Sequence, residues 1–321
     1  MSQMGKKVIR VGPAGWSYKD WEGIVYPSRK PRGFDPLQFL AHYFDTIEVD
    51  STFYRPMPKK TAESWLERIR DNRDFRFTTK LWQRFTHERD ENWSAEEVEQ
   101  ARETPAALQE AGRLGAVLVQ FPWSFRNNEK NQEWLGDVLG TFREFPLVVE
   151  VRHSSWNVPE FFDGLAERGV GFVNIDQPQF HDSIRPSARA TAQVGYIRVH
   201  GRNYKDWFRE NAGVEARYNF LYSAQELKPW AERTEEVGRN PLVKEVYAIT
   251  NNHYLGQAPA NALMLRSMLE GVRVPCPPPL FKKYEKVLKD FAEPKALEGG
   301  AASASKDEDK PRQGSLPLGK R

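Results

Sequence analysis

The chain has 321 residues, of which 47 are basic and 44 acidic, so its formal net charge is +3. This near balance gives no electrostatic reason to expect a nucleic-acid or membrane partner. The single cysteine, Cys276, excludes an intramolecular disulfide and a cysteine-ligated metal cluster, and it favours a reducing, cytoplasmic location. The amino-terminal segment lacks the apolar run of a signal peptide, and no window approaches the ~20 apolar residues of a membrane span.

Short apolar segments, several of them with period-two alternation, predict eight strands at residues 8–11, 46–50, 75–80, 116–121, 147–152, 171–176, 195–200 and 246–251. Amphipathic segments predict helices at residues 34–44, 61–70, 94–114, 132–142, 159–168, 223–237 and 258–269. Two of these helices have recognisable starts: Thr61 is a candidate N-cap, and Ser94 with Glu97 resembles a capping box.

Strands that alternate with helices favour a parallel sheet. Eight such units in about 265 residues match the size of a TIM barrel. The alternative, an open doubly wound sheet, usually carries a glycine-rich phosphate-binding turn after its first strand. Gly12 and Gly15 lack that spacing. The sequence therefore predicts an α/β fold, a parallel barrel of the TIM (β/α)8 type.

The composition changes after residue 271, so we expect one barrel domain at residues 1–271. Residues 272–292 begin with a proline-rich, extended segment and continue into a short amphipathic helix at 280–291. Residues 293–321 combine small residues, proline and mixed charges. Such a segment cannot bury enough apolar surface to offset the entropy cost of ordering, and we expect a disordered tail.

Polar residues recur near the carboxyl ends of the predicted strands. In the segment 147–152, Leu147, Val149 and Val151 form an apolar face, whereas the other face becomes charged towards its end. The residues in comparable positions are Glu48, Asp50, Lys80, Gln120, Glu150, Arg152, Asn174, Asp176, Arg198, His200, Asn251 and Asn252. In a barrel they would converge on one mouth, the face where TIM-barrel enzymes hold their active sites. Because each unpaired buried ion is costly, so many of them favour a functional site.

Four of these residues are candidates for catalysis: Glu48, Glu150, Asp176 and His200. They could transfer protons as an acid and a base, or they could hold a divalent cation such as Mg²⁺ or Mn²⁺. No HxH or HExxH spacing indicates zinc, and no Gly-x-Ser-x-Gly turn indicates covalent acyl transfer.

The remaining candidates would bind substrate. Lys80, Arg152 and Arg198 suit an anionic group, because ammonium and guanidinium groups pair with phosphate and carboxylate. Gln120, Asn251 and Asn252 would add neutral hydrogen bonds. Trp16 and Tyr18, just after the first predicted strand, would form a stacking wall for a sugar-like ligand. Basic residues beside aromatic ones would also suit a single nucleic-acid strand.

Seven blocks of the chain, taken in order, resemble the YecE-like proteins, a domain-of-unknown-function family. The blocks are residues 12–18, 48–54, 80 with 86–87, 120–122, 149–153, 196–202 and 251–253. The resemblance implies a TIM-barrel fold over residues 8–270 and implies no particular reaction. Asp50 departs from it, because the family usually has asparagine there. We expect Lys80 or Arg198 to balance the added negative charge.

The sequence leads to three hypotheses of different classes. The first is an enzyme of the hydrolase or isomerase type, which acts on a small anionic or sugar-like metabolite by carboxylate and histidine acid–base chemistry at the carboxyl-terminal mouth. The second is a protein that processes or binds nucleic acid with the same mouth and basic loops. The third is a barrel that binds a small ligand without catalysis.

Overall fold

The computed structural model describes residues 7–205, 209 and 218–297 of the chain. Eight parallel strands form one sheet in the order β1-β8-β7-β6-β5-β4-β3-β2. The strands are β1 (Val8–Pro13), β2 (Thr46–Val49), β3 (Arg76–Lys80), β4 (Leu114–Gln120), β5 (Leu147–Glu150), β6 (Gly171–Asp176), β7 (Val194–Val199) and β8 (Glu245–Thr250). The predicted TIM-type barrel is confirmed.

The barrel closes where β1 meets β2. The two strands share one isolated bridge, between Ala14 and Glu48, and the Gly15 amide donates to the Glu48 carbonyl at 2.8 Å. The backbones approach closely here, since a Cβ atom added to Gly12 would lie 2.0 Å from the carbonyl oxygen of Thr46. Glycine is required at this position because any side chain would separate the two strands.

Helices cover the outside of the barrel. They are α1 (Pro36–Leu40), α2 (Ser51–Tyr54), α3 (Lys59–Arg68), α4 (Ala95–Glu110), α5 (Glu129–Thr141), α6 (Pro159–Glu167), α7 (Ala224–Arg239), α8 (Gln257–Glu270) and α9 (Pro278–Leu288). The alternation has one gap: residues 177–193, all of them described, connect β6 to β7 without a helix. None of the helices in the described residues is long and apolar enough to cross a membrane.

Local signals set some helix ends correctly and others not. Ser94 and Glu97 form the predicted capping box at the start of α4. Thr61 is not a cap, because α3 already begins at Lys59, directly after Pro58. The helix predicted to reach residue 114 ends at Glu110, since Gly112 has a positive φ of 65° and turns the chain into β4.

The segment after α8 packs against the barrel domain. A short strand β9 (Val274–Cys276) pairs in parallel with β10 (Ala292–Pro294). Leu280 and Leu288 of α9 are fully buried in the same apolar cluster as α8, and each buried leucine contributes about 1.5–3 kcal/mol. Residues 293 and 294, which we predicted to be disordered, therefore belong to a strand, and the part of the predicted tail at 298–321 lies outside the described residues.

Candidate functional site

Charged side chains from three separate strands meet inside the barrel. Arg198 of β7 contacts Glu48 of β2 and Glu150 of β5. These strands are not neighbours in the sheet, so the side chains can meet only across the barrel interior. Residues paired in register on parallel strands point to the same side, and the partners of Arg198, Ile175 and Ile249, therefore face the interior as well.

Strand β6 has the opposite phase to the one we predicted. Asn174 and Asp176 are paired with the residues on either side of Arg198, so both face the helix layer. There the Arg202 Nε donates to the two carboxylate oxygens of Asp176 at 2.8 and 3.1 Å. Val173 and Ile175 alternate with Asn174 and Asp176, but β6 is buried on both faces, so this alternation does not say which set faces the barrel interior. Asp176 does not join the other predicted catalytic residues.

Arg198 bridges the two interior carboxylates. Its Nη2 lies 2.5 Å from Glu48 Oε1, and its Nη1 lies 2.7 Å from Glu150 Oε2 and 3.2 Å from Gln120 Oε1. The side chains of Arg198 and both glutamates have no exposed surface. A planar guanidinium is suited to this arrangement, because its donors are fixed in directions that reach two carboxylates at once.

Tyr196, two residues before Arg198 on β7, contacts the second carboxylate oxygen of Glu48. Its hydroxyl lies 2.8 Å from both Glu48 Oε2 and Thr78 Oγ1. With one proton available, the Tyr196 hydroxyl donates to the carboxylate and accepts from Thr78. Burial and the Glu48 charge hold the pKa of Tyr196 well above its usual range, so this donor stays protonated.

A second chain of hydrogen bonds leads from Glu150 to the mouth. Arg152 Nε and Nη2 both lie 3.0 Å from Glu150 Oε1, and His200 Nε2 lies 3.2 Å from the same atom. Asn251 Nδ2 lies 3.0 Å from His200 Nδ1. Burial lowers the pKa of His200 to about 3, so the ring is neutral: its Nε2–H donates to Glu150, and its Nδ1 accepts from Asn251.

The pKa values of the two interior carboxyl groups are shifted in opposite directions. Burial raises the pKa of Glu48; Arg198 and Lys80 offset this only in part, and the charge of Asp50 adds to it. Burial acts on Glu150 in the same direction, but the charges around it, led by Arg198, outweigh it and hold its pKa well below the usual range. Environments that separate the pKa values of two carboxyl groups are typical of acid–base sites.

A pocket of about 590 Å³ lies above this interior, at the carboxyl ends of β1, β2, β3 and β8. The predicted substrate-binding residues Trp16, Tyr18, Lys80 and Asn251 line it, together with Asp50 and His253. The four predicted catalytic residues do not line it, and each of them is fully buried. Glu48, Glu150 and His200 therefore form the layer beneath the pocket.

Asp50 and Lys80 form an ion pair in the pocket. Lys80 Nζ lies 3.5 Å from Asp50 Oδ1, which confirms that Lys80 balances the carboxylate that departs from the family pattern. The Tyr18 hydroxyl lies 3.2 Å from both Asp50 Oδ2 and the Ala14 carbonyl oxygen, so its one proton is shared between these two acceptors. The Lys80 ammonium also lies 4.3 Å from the centre of the Phe53 ring, a distance typical of a cation–π contact.

The two predicted stacking residues differ in what they offer to a ligand. The Tyr18 ring stacks on His253, with centroids 4.5 Å apart, and contacts Trp21 at 4.8 Å. Because its faces are covered, Tyr18 presents its hydroxyl to the pocket rather than its ring. Trp16 contacts Trp65 edge to face at 5.5 Å and is partly exposed, so its ring remains suited to stacking.

The other predicted substrate-binding residues lie outside the pocket lining. Gln120, Arg152 and Arg198 hold the interior glutamates, as described above. Asn252 is fully buried, and its Nδ2 donates to the Phe220 carbonyl at 2.7 Å and to Asn261 Oδ1 at 2.8 Å. Asn252 thus fastens the start of α8 to the loop before α7.

His87 lies at the mouth and was not among the predicted site residues. It follows a short 3₁₀ turn after β3 (Gln83–Phe85), and its Nδ1 lies 2.9 Å from Thr86 Oγ1. Burial, and then the charges of Arg152 and Lys80, lower the pKa of His87 to about 4. The signal that could have identified it was its place in a block that resembles the YecE-like proteins.

The described residues contain no group of three or more His, Cys, Asp or Glu side chains arranged to hold a metal ion. Arg198 occupies the space between Glu48 and Glu150, where the shared cation of a two-carboxylate site would have to lie. The donor set therefore gives no support to the Mg²⁺ or Mn²⁺ site that the sequence led us to consider.

The fold and the pocket define the class, a TIM-barrel protein with a polar pocket at the carboxyl ends of its strands. Residues 10–282 match the family model described as "Protein of unknown function DUF72", and the chain belongs to this family.

Two relatives confirm the resemblance to YecE-like proteins. UPF0759 protein YunF of Bacillus subtilis (strain 168) is 27% identical over 276 residues, which cover 82% of this chain and 95% of that protein. UPF0759 protein YecE of Escherichia coli (strain K12) is 28% identical over 195 residues, which cover 57% of this chain and 64% of that protein.

Solved structures of the same family share the fold. A DUF72 family protein of Thermotoga maritima MSB8 is 34% identical, with a TM-score of 0.70, and the match covers 82% of this chain and 99% of that one. A DUF72 family protein of Enterococcus faecalis V583 is 25% identical, also with a TM-score of 0.70, over 82% of this chain and 96% of that one.

Proposed function

We propose that the protein is an enzyme that binds a small anionic or sugar-like metabolite in the pocket and acts on it by acid–base chemistry of the hydrolase or isomerase type. The observation that carries the proposal is the charge of the pocket. Its described lining residues include three cationic side chains, Arg55, Arg68 and Lys80, and one carboxylate, that of Asp50; Arg68 also pairs with Asp35, outside the lining, at 3.4 Å. An excess of cations in a concave site attracts and orients an anionic group.

The lining residues divide into binding and reacting groups. Lys80 and the Asn251 amide would bind oxygen atoms of the ligand, while Trp16 would stack on a sugar-like ring. Asp50 is the carboxylate that a ligand can touch, and the Tyr18 hydroxyl oxygen beside it can accept a hydrogen bond from the ligand. Acid–base catalysis requires such contact within hydrogen-bonding distance of the reacting atom.

The interior layer would act on the ligand indirectly. Glu150 and His200 hold Asn251 in place through consecutive hydrogen bonds, and Arg198 holds Glu150. In this proposal they are positioning residues, because their side chains are fully buried beneath the pocket. A preorganised layer of this kind keeps ligand-facing groups in a fixed geometry.

A thermal-shift screen of sugar phosphates, small carboxylic acids and neutral sugars tests the binding step. A ligand that binds only the folded protein raises Tm, by mass action. We expect anionic compounds to raise the Tm of the wild type and to lose this effect in Lys80→Met. As a matched control, Lys59→Met removes an ammonium from the exposed pair with Glu110 and should leave the shift unchanged.

The compounds that bind are then assayed for turnover by the wild type and by Asp50→Asn. Consumption that is lost in Asp50→Asn supports the enzyme. Binding without consumption would instead favour a barrel that only binds its ligand. Oligonucleotides form a separate arm of the screen, since tight binding that weakens steeply with salt would favour the nucleic-acid alternative.

A further inference from the structure

The predicted proton-transfer residues are fully buried, whereas His87 is a partly exposed imidazole at the mouth. The Thr86 hydroxyl, which belongs to a fully buried residue, lies 2.9 Å from His87 Nδ1 and fixes the ring. Within the described part of the chain, no hydrogen-bond partner contacts Nε2. An imidazole that is oriented through one nitrogen and open at the other is a common arrangement for proton transfer.

Cationic groups predominate around this ring. Besides burial, the pKa of His87 is lowered by three positive charges, those of Arg152 just after β5, Lys80 of β3 and Arg89 in the loop that carries His87. The negative charge of Glu150 raises it. Glu150 is already paired with Arg152 and Arg198. The Phe53 ring of α2 lies between Lys80 and His87: its centroid is 4.3 Å from the Lys80 ammonium and 4.9 Å from the centroid of the His87 ring.

This arrangement couples the binding of an anion to the protonation of His87. Burial and the neighbouring cations disfavour the imidazolium form and lower the pKa of His87 to about 4. An anion placed beside Lys80 and Arg152 would cancel part of their charge and so raise the pKa of His87 towards its ordinary value of 6.5. By linkage, protonation would then strengthen anion binding to the same extent.

We propose that a carboxylate or phosphate group of the ligand binds beside Lys80 and Arg152, and that His87 takes up a proton as it binds and serves, with Asp50, as an acid–base residue of the mouth. The inference rests on the proposed function of the pocket: Lys80 lines it, and His87 and Arg152 lie outside its lining, so the inference extends the site from Lys80 towards His87. The neutral ring takes a proton from solvent and becomes imidazolium. It then donates this proton to a ligand oxygen and returns to the neutral form.

The first experiment follows the His87 ring by NMR as a function of pH, with and without sulfate. Sulfate is the probe because its charge does not change in the titration range. We expect the midpoint near 4 in the free protein to move upwards in sulfate, with the resonance assigned by its loss in His87→Gln. His42→Gln is the matched control, since His42 is exposed beside α1 and bonds to the Gln38 carbonyl on the outside of the barrel.

The second experiment measures sulfate binding by calorimetry in buffers of different ionisation enthalpy. We expect the wild type to take up as much as one proton per sulfate, and its affinity to rise by up to about tenfold for each unit of falling pH. His87→Gln should bind sulfate without this proton uptake, whereas Lys80→Met should bind it weakly at every pH. Inorganic phosphate and acetate, measured in parallel, distinguish the two classes of anion.

Two failures have different meanings. If sulfate binds, and binding depends on Lys80, but the His87 titration does not move, then the role of His87 is wrong and the pocket proposal stands. If no anion binds, and Lys80→Met behaves like the wild type, then both proposals are wrong. Proton uptake that persists in His87→Gln also contradicts the proposal, because another group must then carry it.

Discussion

The barrel holds two polar layers that differ in access to solvent. Glu48 of β2 has no exposed surface, whereas the side chain of Asp50, two positions further along the chain, is 21% exposed. On β3 the same step leads from the fully buried Thr78 to Lys80, whose side chain is 10% exposed. A step of two residues keeps the side chain on the same face but moves it by about 6–7 Å along the strand. Depth in the barrel, and not phase, therefore decides which of these groups a ligand can touch.

The two layers also satisfy their charges in different ways. In the interior layer, Arg198 bridges Glu48 and Glu150, so each ion is paired with another. In the mouth layer, Lys80 pairs with Asp50 at a longer distance of 3.5 Å, and His87 has cations around it. The charges of the interior layer are thus paired within the protein, although Arg198 Nε has no hydrogen-bond partner among the described residues, whereas the mouth layer has cationic groups that an anion can bind. Four predictions test this difference.

The largest effect is expected for Arg198→Met. The substitution leaves two buried glutamates without their shared cation, and breaking a buried ion pair costs roughly 3–5 kcal/mol. Urea unfolding at neutral pH measures the loss. Arg239→Met is the control, because its pair with Glu235 is largely exposed and contributes less than about 1 kcal/mol. Equal losses in the two variants would contradict an interior layer whose stability depends on the ion pairs of Arg198.

Acid should destabilise the interior layer through His200. Its pKa is about 3 in the folded protein, against 6.5 for an ordinary histidine, so between these values the unfolded chain binds more protons. The free energy of unfolding therefore falls with falling pH, by roughly 3 kcal/mol from pH 6.5 to about pH 4. The neutral His87 acts in the same direction. Urea unfolding across this range measures the slope, and His200→Gln should make it shallower; an unchanged slope would argue against a neutral His200.

A smaller loss is expected for Tyr196→Phe. The substitution removes the donor to Glu48 Oε2 and leaves a buried carboxylate oxygen without that bond, at a cost of about 1.5–3 kcal/mol. Tyr54→Phe provides the comparison, because Tyr54 is 62% exposed at the pocket and should change stability by less than about 0.5 kcal/mol. Similar unfolding free energies for both variants would mean that the Tyr196 hydroxyl does not support Glu48.

The smallest effect on stability is expected for Asp50→Asn, in the mouth layer. The ion pair with Lys80 is partly exposed, so its loss should cost less than about 1 kcal/mol in urea unfolding. The same substitution should tighten the binding of anionic ligands, since it removes the carboxylate that competes for Lys80. A loss of several kcal/mol, or weaker anion binding, would show that Asp50 belongs with the interior layer.

Much of the fold was predictable, because the barrel strands carry strong local patterns. In β2, β5 and β7, an apolar outer face alternates with residues that become polar towards the mouth, and these strands gave the correct phase. In β6, both faces are buried and both contain apolar residues, so only the pairing of Asp176 with the residue after Arg198 fixes its orientation. That information lies in a neighbouring strand and not in the segment itself.

The candidate site was predictable only in part, for two physical reasons. Alternation places Glu48 and Asp50 on the same face but says nothing about which of them a ligand can reach. Contacts between loops are also invisible in the pattern, and these contacts cover the faces of the Tyr18 ring. The loop position of His87 likewise gives no periodic signal, although the fold brings it close enough to Lys80 and Arg152 for their charges to lower its pKa.

The narrow junction between β1 and β2 has a consequence for the whole domain. One isolated backbone bridge, between Ala14 and Glu48, pairs these two strands, and the pocket lies directly above it, with Trp16 on one side and Asp50 on the other. A ligand that contacts both residues would tie together the first and last strands of the sheet. Hydrogen exchange at the amides of this junction should then become slower when the pocket is filled, because the ligand would stabilise the closed form of the barrel.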